Sequence, residues 1–461
     1  MKRIFAIVLS LLFCFSLFAC SSGSESGSTD SPNGGSSDSG DIVLPEIITN
    51  KTYRSFWLKQ FNYKTMPIVA YNAAPQKTGS YTLSMITDEH YREIADAGIN
   101  TVFGLYERAE VNAEEIRAAL ALCEKYDLSY VAVGNGLASF SDVGIAESSL
   151  YNSLLKDSPS ALGGVIVKDE PNEKQFAKIA ASKEVLRQLF GKKLLYHSNL
   201  YPDYATAAQL FGDESYPSGY SYEKYVENYC KTYSPQILSY DYYPFQKTKI
   251  LDGYFVNMST IRKYAEQYEI PFWVYIQCCS FNKYTKIPDN GELKWLVNTS
   301  LAYGCKGLQY FTYVDALSGG NETFSGSPID KNGNKTETYG YISDINKFVG
   351  NIDEYLMCCF SKGIMTAGTT PCPIPDADVL QNYGKLSSVG GDSVLVGCLD
   401  YKGQNAYYVV NNSVDDFSDV NLDFSQSVSG SMFSSDGEST FSGEKYSARL
   451  SAGEGILLIL D

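Results

Sequence analysis

The sequence contains only two histidines and three tryptophans among its 461 residues. So few histidines argue against a His-based catalytic triad and against a histidine-rich metal site. Basic residues are also in the minority, with 37 Lys and Arg against 53 Asp and Glu and a formal net charge of -16. A nucleic-acid-binding protein would carry basic patches instead. We therefore expect no metal, no organic cofactor and no nucleic-acid partner.

The amino terminus has a basic start followed by an apolar run over residues 4–18, shorter than the roughly 18 residues that a membrane-spanning helix needs. The run closes on Leu-Phe-Ala-Cys at Cys20, which resembles the cleavage box of bacterial lipoproteins. This pattern predicts a signal peptide over residues 1–19, lipidation of Cys20 and a flexible Ser- and Gly-rich tether over residues 20–41. We expect an extracytoplasmic protein, anchored to the membrane at the cell surface; an ordinary signal peptide cut near Ala19 is the alternative.

The cysteines lack the regular spacing of a disulfide framework. Of the eleven in the chain, Cys14 and Cys20 belong to the signal region, which leaves nine, an odd number with no CxxC motif. We interpret the adjacent pairs, 278–279 and 358–359, as small buried apolar residues rather than zinc ligands.

Eight short apolar runs alternate with amphipathic stretches of helical periodicity, and successive runs lie roughly 30 to 45 residues apart, enough for one helix and two loops. The runs cover residues 68–71, 101–105, 130–133, 164–167, 193–196, 237–240, 272–276 and 307–311. They predict an α/β fold, a (β/α)8 TIM barrel over residues 42–365. A doubly wound open sheet is the alternative, but no GxGxxG motif follows the first run.

The last hundred residues differ, because short alternating runs are separated by Gly, Ser and Asp turns. They predict a small all-β sandwich domain over residues 366–461. We expect it to pack on the barrel; a carbohydrate-binding role is the alternative.

In a barrel of this kind, the carboxyl ends of the strands carry the functional site. Asp169 and Glu170 directly follow the fourth run, and Asp241 follows the sixth, so these three acids are the candidate catalytic residues. Other polar or aromatic residues at the strand ends are candidate substrate contacts: Tyr71, Tyr106, Asn135, His197, Asn199, Tyr201, Tyr242, Tyr243, Gln277, Tyr310 and Tyr313.

Each of these residue types also has a structural interpretation. The acids can cap a helix or orient a loop, and a lone histidine at a strand end is commonly structural. About half of the tyrosines at positions 242, 243, 310 and 313 are expected to pack in the barrel. The functional interpretation is favoured because acids, amides and tyrosines are all expected at one end of the barrel. Glycoside cleavage needs this combination: a protonated carboxyl, a second carboxylate and aromatic faces for the sugar rings.

The chain resembles the (β/α)8 glycoside hydrolases, and the resemblance is carried by three segments, residues 163–172, 301–311 and 329–346. The first looks like their fourth strand, whose terminal Glu is the acid/base; the last is similar to the final loop and helix of β-galactosidase-like members, which often carry a small β-sandwich after the barrel. The resemblance implies that Glu170 is the proton donor and that the substrate is a carbohydrate.

The chain departs from this family at the end of the seventh strand, where Gln277 stands in place of the nucleophilic Glu. An amide cannot serve as that nucleophile, so three interpretations remain. Asp241 could be the base of an inverting pair. Asp169 and Glu170 together resemble the acid pair of substrate-assisted N-acetylhexosaminidases. Third, the barrel could be a non-catalytic, glycan-binding surface lipoprotein. We predict a glycoside hydrolase that acts on extracellular glycans or oligosaccharides, with Asp241 as the second carboxylate.

Overall fold

The computed structural model describes residues 65–75, 77, 83–104, 109–132, 160–191, 194–316 and 322–461. The signal region, Cys20, the tether, Tyr106 and Asn135 lie outside these residues, so the predictions for them stay predictions. Within the described residues, no helix combines the length and the apolar character needed to cross a membrane.

Eight parallel strands close into a barrel, which confirms the predicted fold class. Around the barrel each strand pairs with the next one along the chain, and the eighth pairs with the first. The strands are β1 (Ile68–Tyr71), β2 (Thr101–Phe103), β3 (Ser129–Ala132), β4 (Leu162–Asp169), β5 (Leu195–Leu200), β6 (Leu238–Asp241), β7 (Phe272–Gln277) and β8 (Leu308–Phe311).

Helices follow the strands and form the outer layer: α1 (Asp88–Asp96), α2 (Ala109–Lys125), α3 (Phe176–Phe190), α4 (Ala207–Leu210), α5 (Tyr222–Tyr233), α6 (Tyr254–Gln267), α7 (Asn290–Ala302) and α8 (Glu337–Leu356). Their starts follow from local sequence. The Thr87 hydroxyl accepts from the His90 amide at the start of α1, and Asp289 with Glu292 forms a capping box on α7. These side chains satisfy amide groups that have no partner within the helix.

A short hairpin and a second two-stranded pair extend the barrel at its carboxyl end. Phe245–Gln246 pairs with Lys249–Ile250 directly after β6, and Ser280–Asn282, after β7, pairs with Glu322–Ser325, after β8. Both pairs are antiparallel. The second pair links the segments that follow two neighbouring barrel strands.

The carboxyl-terminal domain is a seven-stranded antiparallel sheet, consistent with the predicted β-sandwich. Its strands are β9 (Cys359–Gly368), β10 (Leu386–Gly391), β11 (Ser393–Tyr401), β12 (Gln404–Asn411), β13 (Ser418–Ser434), β14 (Gly437–Leu450) and β15 (Gly455–Leu460). The long strand β13 pairs with β10 through its first half and with β15 through its second half, while β14 pairs along most of its length.

The sheet domain packs against the barrel through α6 and α7. The indole of Trp295 donates to Asn412 at 2.8 Å, and the Tyr408 hydroxyl donates to Asn298 at 2.8 Å. Arg262 on α6 forms a buried ion pair with Asp378 at 3.0 Å. Polar groups buried in this way lose their water and need such partners, so this contact surface is specific. All nine cysteines in the described part of the chain are buried and free.

Candidate active site

Successive side chains of a strand point to opposite faces, so alternate residues of each barrel strand point inward. On β5 the inward residues are His197 and Asn199, and on β6 they are Ser239 and Asp241. Asn199 lies opposite Ser239, and Asp241 lies opposite Tyr275 of β7. The strand register therefore brings polar groups from three neighbouring strands to one end of the barrel.

The end of β4 carries the two adjacent acids. Glu170 has a positive φ of 47°, a left-handed conformation that costs a non-glycine residue about 1–2 kcal/mol. Its amide donates to the carbonyl of Asn199 at 3.1 Å, which holds the turn in place. The residue at the N-cap of the following 3-10 turn is Asn172, so neither acid caps that turn. Strain of this kind is typical of functional sites.

Asn199 connects the two aspartates. Its Nδ2 donates to Asp241 Oδ1 at 2.8 Å, and its side chain also hydrogen-bonds to Asp169. The orientation of this amide is determined by a chain of buried hydrogen bonds: Gln309 Nε2 donates to Ser239 Oγ at 2.9 Å, and Ser239 Oγ donates to Asn199 Oδ1 at 2.9 Å. We call this chain the Gln309–Ser239–Asn199 relay. Because Oδ1 already accepts from Ser239, Nδ2 is the atom that faces the carboxylates.

The three acids do not titrate alike. Burial, followed by the negative charges of Asp241 and Asp169, raises the pKa of Glu170 well above its usual range. Burial, and then the charge of Asp169, raises the pKa of Asp241 to about 8, although the hydrogen bond from Asn199 opposes that rise. Burial also raises the pKa of Asp169, against the opposing charge of Lys168. Neighbouring like charges cannot all ionise together, and the neighbouring acids together with burial favour the protonated form of Glu170.

Aromatic rings surround the acids. Tyr71 donates its hydroxyl to Asp169 at 3.5 Å, and its ring lies 5.5 Å from that of Tyr275. Tyr243 stacks on Phe311 with ring centroids 5.0 Å apart. The acids also raise the pKa values of the Tyr243 and Tyr204 hydroxyls, after burial as the largest cause. The site thus combines three carboxyl groups with a lining of ring faces.

Sequence reasoning did not select Tyr275, Phe311 or Tyr204 as site residues. Tyr275 and Phe311 could have been identified from the sequence, because the two-residue period of each strand places them on the inward face. Phe311 points inward because it is two residues beyond Gln309 of the relay. Tyr204 lies in the loop after β5, where strand periodicity no longer applies.

Three of the predicted tyrosines lie elsewhere and are not part of the candidate site. Tyr310 donates its hydroxyl to Asn346 of α8 at 2.7 Å, and Tyr313 packs near the ring of His90 on α1. Tyr242 contacts the rings of Tyr204 and Tyr254, and so turns toward α6. Tyr310 and Tyr242 point outward because they alternate with inward residues, whereas Tyr313 lies beyond the end of β8, where strand periodicity no longer applies. Tyr243 is the one of the four that lies beside the acids.

Two other predicted contacts have structural surroundings. Both ends of the Gln277 amide bind backbone: Oε1 accepts from the Phe245 amide at 3.0 Å, and Nε2 donates to the carbonyls of Phe245 and Lys286 at 3.0 Å each. Gln277 therefore ties together the segments after β6 and β7. His197 is buried between Phe103 and Trp273, and burial lowers its pKa to about 3, so the ring is neutral. Tyr201 is half-buried, and its carbonyl accepts from the Tyr222 hydroxyl at 2.8 Å.

A fourth acid, Glu322, lies near the site on the short strand after β8. It shares a strand face with Phe324, whose ring lies 6.2 Å from Phe311. Burial raises the pKa of Glu322 to about 7, and its charge contributes to the raised pKa of Glu170. No motif in the sequence marks this residue, because its position depends on antiparallel pairing with a segment some forty residues earlier. Among the described residues, no group of three or more His, Cys, Asp or Glu has a metal-binding arrangement.

No protein-family model and no curated protein sequence matches this chain. Solved structures, in contrast, match this chain. A β-galactosidase from Bacillus circulans sp. alkalophilus matches with 8% identity and a TM-score of 0.57, over 87% of this chain and 99% of that enzyme. A β-galactosidase from Marinomonas ef1 matches with 10% identity and a TM-score of 0.46, over 63% of this chain. This chain spans 62% of the length of the Marinomonas enzyme.

At such identities the likeness concerns architecture and not activity. The Bacillus circulans match extends over most of both chains, and the barrel is closed, parallel and eight-stranded. This chain therefore has the (β/α)8 barrel fold found in glycoside hydrolases, followed by an antiparallel sheet domain.

Proposed function

We propose that this protein is a glycoside hydrolase in which Glu170 is the general acid and Asp241 the second carboxylate. The observation that carries the proposal is the contrast between these two acids at one barrel end. The pKa values of both carboxyl groups are raised, but no hydrogen bond reaches the Glu170 carboxyl from the described part of the chain, whereas Asn199 donates to Asp241 and favours its charged form. Environments that separate the pKa values of two carboxyl groups favour one acid and one base.

In the proposed reaction, Glu170 gives its proton to the glycosidic oxygen as the bond to the leaving group breaks. Asp241 accepts a proton from the attacking water, which inverts the configuration of the sugar carbon. The relay keeps the Asn199 amide directed at Asp241 and so favours its charged form. The rings of Tyr71, Tyr243 and Phe311 supply flat apolar surfaces for the apolar faces of a sugar.

One observation favours a second reaction of the same class. Asp169 is held by both the Tyr71 hydroxyl and Asn199, directly before the proton donor. An acid anchored at two points could orient a 2-acetamido group of the substrate, as in substrate-assisted N-acetylhexosaminidases. Asp241 would then stabilise the site without reacting.

The proposal is tested with a panel of 4-nitrophenyl glycosides, including 2-acetamido sugars, and of soluble polysaccharides. We expect release of nitrophenol or of reducing ends from a subset of the panel. Cleavage restricted to 2-acetamido sugars would favour the Asp169 reaction over the Asp241 reaction. Binding of polysaccharides in affinity electrophoresis, with no turnover of any compound, would replace the hydrolase by a glycan-binding protein.

We also propose that the enzyme is a membrane-anchored lipoprotein at the cell surface, on the amino-terminal sequence alone. The lipid on Cys20 would be the anchor, because the predicted tether carries no apolar or basic segment. A Cys20→Ser variant is then expected to move from the membrane fraction to the soluble fraction. Retention of the variant in membranes would show a different anchor.

A further inference from the structure

Two tyrosines form a stack on the loop between β5 and α5. The rings of Tyr216 and Tyr220 are 5.2 Å apart and nearly parallel, at 15°. Tyr216 is 41% exposed, although large aromatic side chains are mostly buried in this protein. Part of the Tyr216 side chain is therefore open to solvent.

Contacts with the rest of the protein hold the stack in place. Tyr220 donates its hydroxyl to Glu173 at 2.6 Å, and its ring packs edge to face with that of Phe211, with the two ring centroids 5.2 Å apart. The Tyr216 hydroxyl donates to the carbonyl of Ala205 at 3.1 Å. With both hydroxyls bonded within the protein, what remains available is a flat ring face. A surface ordered in advance loses little conformational entropy on binding.

The stack adjoins the segment that carries the proposed general acid. Glu173, the partner of Tyr220, is three residues after Glu170, so their Cα atoms are at most about 11 Å apart. Gly212 of the same loop lies against Asn172, where an added Cβ would meet Asn172 Cγ at 3.0 Å. The loop is thus packed on the turn after β4, at the rim of the barrel end that holds the three acids.

We propose that the Tyr216–Tyr220 stack is a remote subsite that binds a sugar ring of an extended glycan while a glycosidic bond of the same chain lies at Glu170. This inference rests on the proposed function and narrows its substrate class to oligosaccharides and polysaccharides. A sugar ring presents C–H groups on one face, which suit the face of an exposed tyrosine. In this proposal short substrates occupy only the site at Glu170, and longer ones extend past Glu173 to the stack.

The test compares Tyr216→Ala with Tyr216→Phe, which keeps the ring. Phe417→Ala, at a 61% exposed ring of the sheet domain, is the matched control. The substrates are 4-nitrophenyl glycosides and β-1,4-linked galacto-, manno- and xylo-oligosaccharides of two to six units. We expect Tyr216→Ala to lower kcat/KM about five- to tenfold on the longer oligosaccharides. Turnover of the nitrophenyl glycosides should stay unchanged, and the other two variants should match the wild type on both.

An equal loss on short and long substrates, or no loss on long ones, would overturn the subsite. Cleavage of nitrophenyl glycosides alone, with no oligosaccharide cleaved, would also overturn the subsite. The subsite and the catalytic proposal fail separately, because binding of the same oligosaccharides is also measured by calorimetry. If no compound is cleaved but Tyr216→Ala weakens binding of the hexamers about five- to tenfold, the stack binds glycan and the hydrolase proposal is wrong.

Discussion

Glu170→Gln is expected to lower kcat by about a thousandfold on natural glycosides, within the range of 10² to 10⁴ typical of general acid catalysis. The amide has the size of the carboxyl group but cannot give a proton to the leaving oxygen. The loss should be much smaller with 2,4-dinitrophenyl glycosides, whose leaving group departs without protonation. The measurement is kcat for both substrate types at several pH values.

The same variant should remain folded. Burial and two neighbouring acids disfavour the charge of Glu170, so the neutral amide should leave the melting temperature unchanged or raise it, as often occurs when an active-site group is replaced. Glu184→Gln on α3 is the control, since that side chain is exposed and its ion pair is with Arg187 of the same helix. Full activity of Glu170→Gln on natural glycosides would remove Glu170 from the proton-donor role.

Asp241→Asn should produce a second large loss, about a thousandfold in kcat, because an amide cannot take a proton from water. The substitution is nearly isosteric, and the new amide oxygen can still accept from Asn199 Nδ2. The loss should therefore reflect chemistry and not a collapsed site. Asp344→Asn, at an exposed position of α8, is the control.

The pH profile of this variant provides a separate test. Activity requires a protonated Glu170 and so falls as the pH rises through the pKa of Glu170. The charge of Asp241 is one cause of that raised pKa. Removing the charge of Asp241 should lower the pKa of Glu170. The alkaline limb of kcat/KM for the residual activity should therefore move to lower pH. An unmoved alkaline limb would mean that the two carboxyl groups do not interact.

Product analysis then assigns the role of the second carboxylate. Inversion at the sugar carbon, observed by NMR during the first turnovers, is expected for the Asp241 reaction. Retention, together with an Asp169→Asn variant as inactive as Glu170→Gln, would instead support the substrate-assisted reaction. If the Asp241→Asn variant kept wild-type activity, Asp241 would be excluded as the base.

The location of the site follows from features that a single sequence displays. Alternating strands and helices imply a closed parallel barrel, and every strand of such a barrel ends at the same rim. Asp169, Glu170 and Asp241 were therefore predictable as neighbours although they are separated by some seventy residues. The adjacent position of Asn199 follows in the same way, since it lies at the end of the strand between them.

The direction of each side chain was harder to predict. A shift of one residue turns a strand residue from the barrel interior to the helical layer. Tyr310 and Phe311 are adjacent in sequence, yet only Phe311 faces the acids. Tyr242, next to Asp241, faces the helical layer for the same reason. Counting in steps of two from an inward residue would have separated these cases, but that residue must be known first.

What the sequence by itself determined is the set of strand ends and the chemistry that they carry, because local periodicity and topology are encoded in short segments. Only the tertiary structure decided the hydrogen-bond partners. Gln277 binds the backbone after β6, the relay begins at Gln309 on β8, and Glu322 is positioned by pairing with the segment after β7. Each contact joins segments that are distant along the chain, and its geometry depends on packing, which no local pattern specifies.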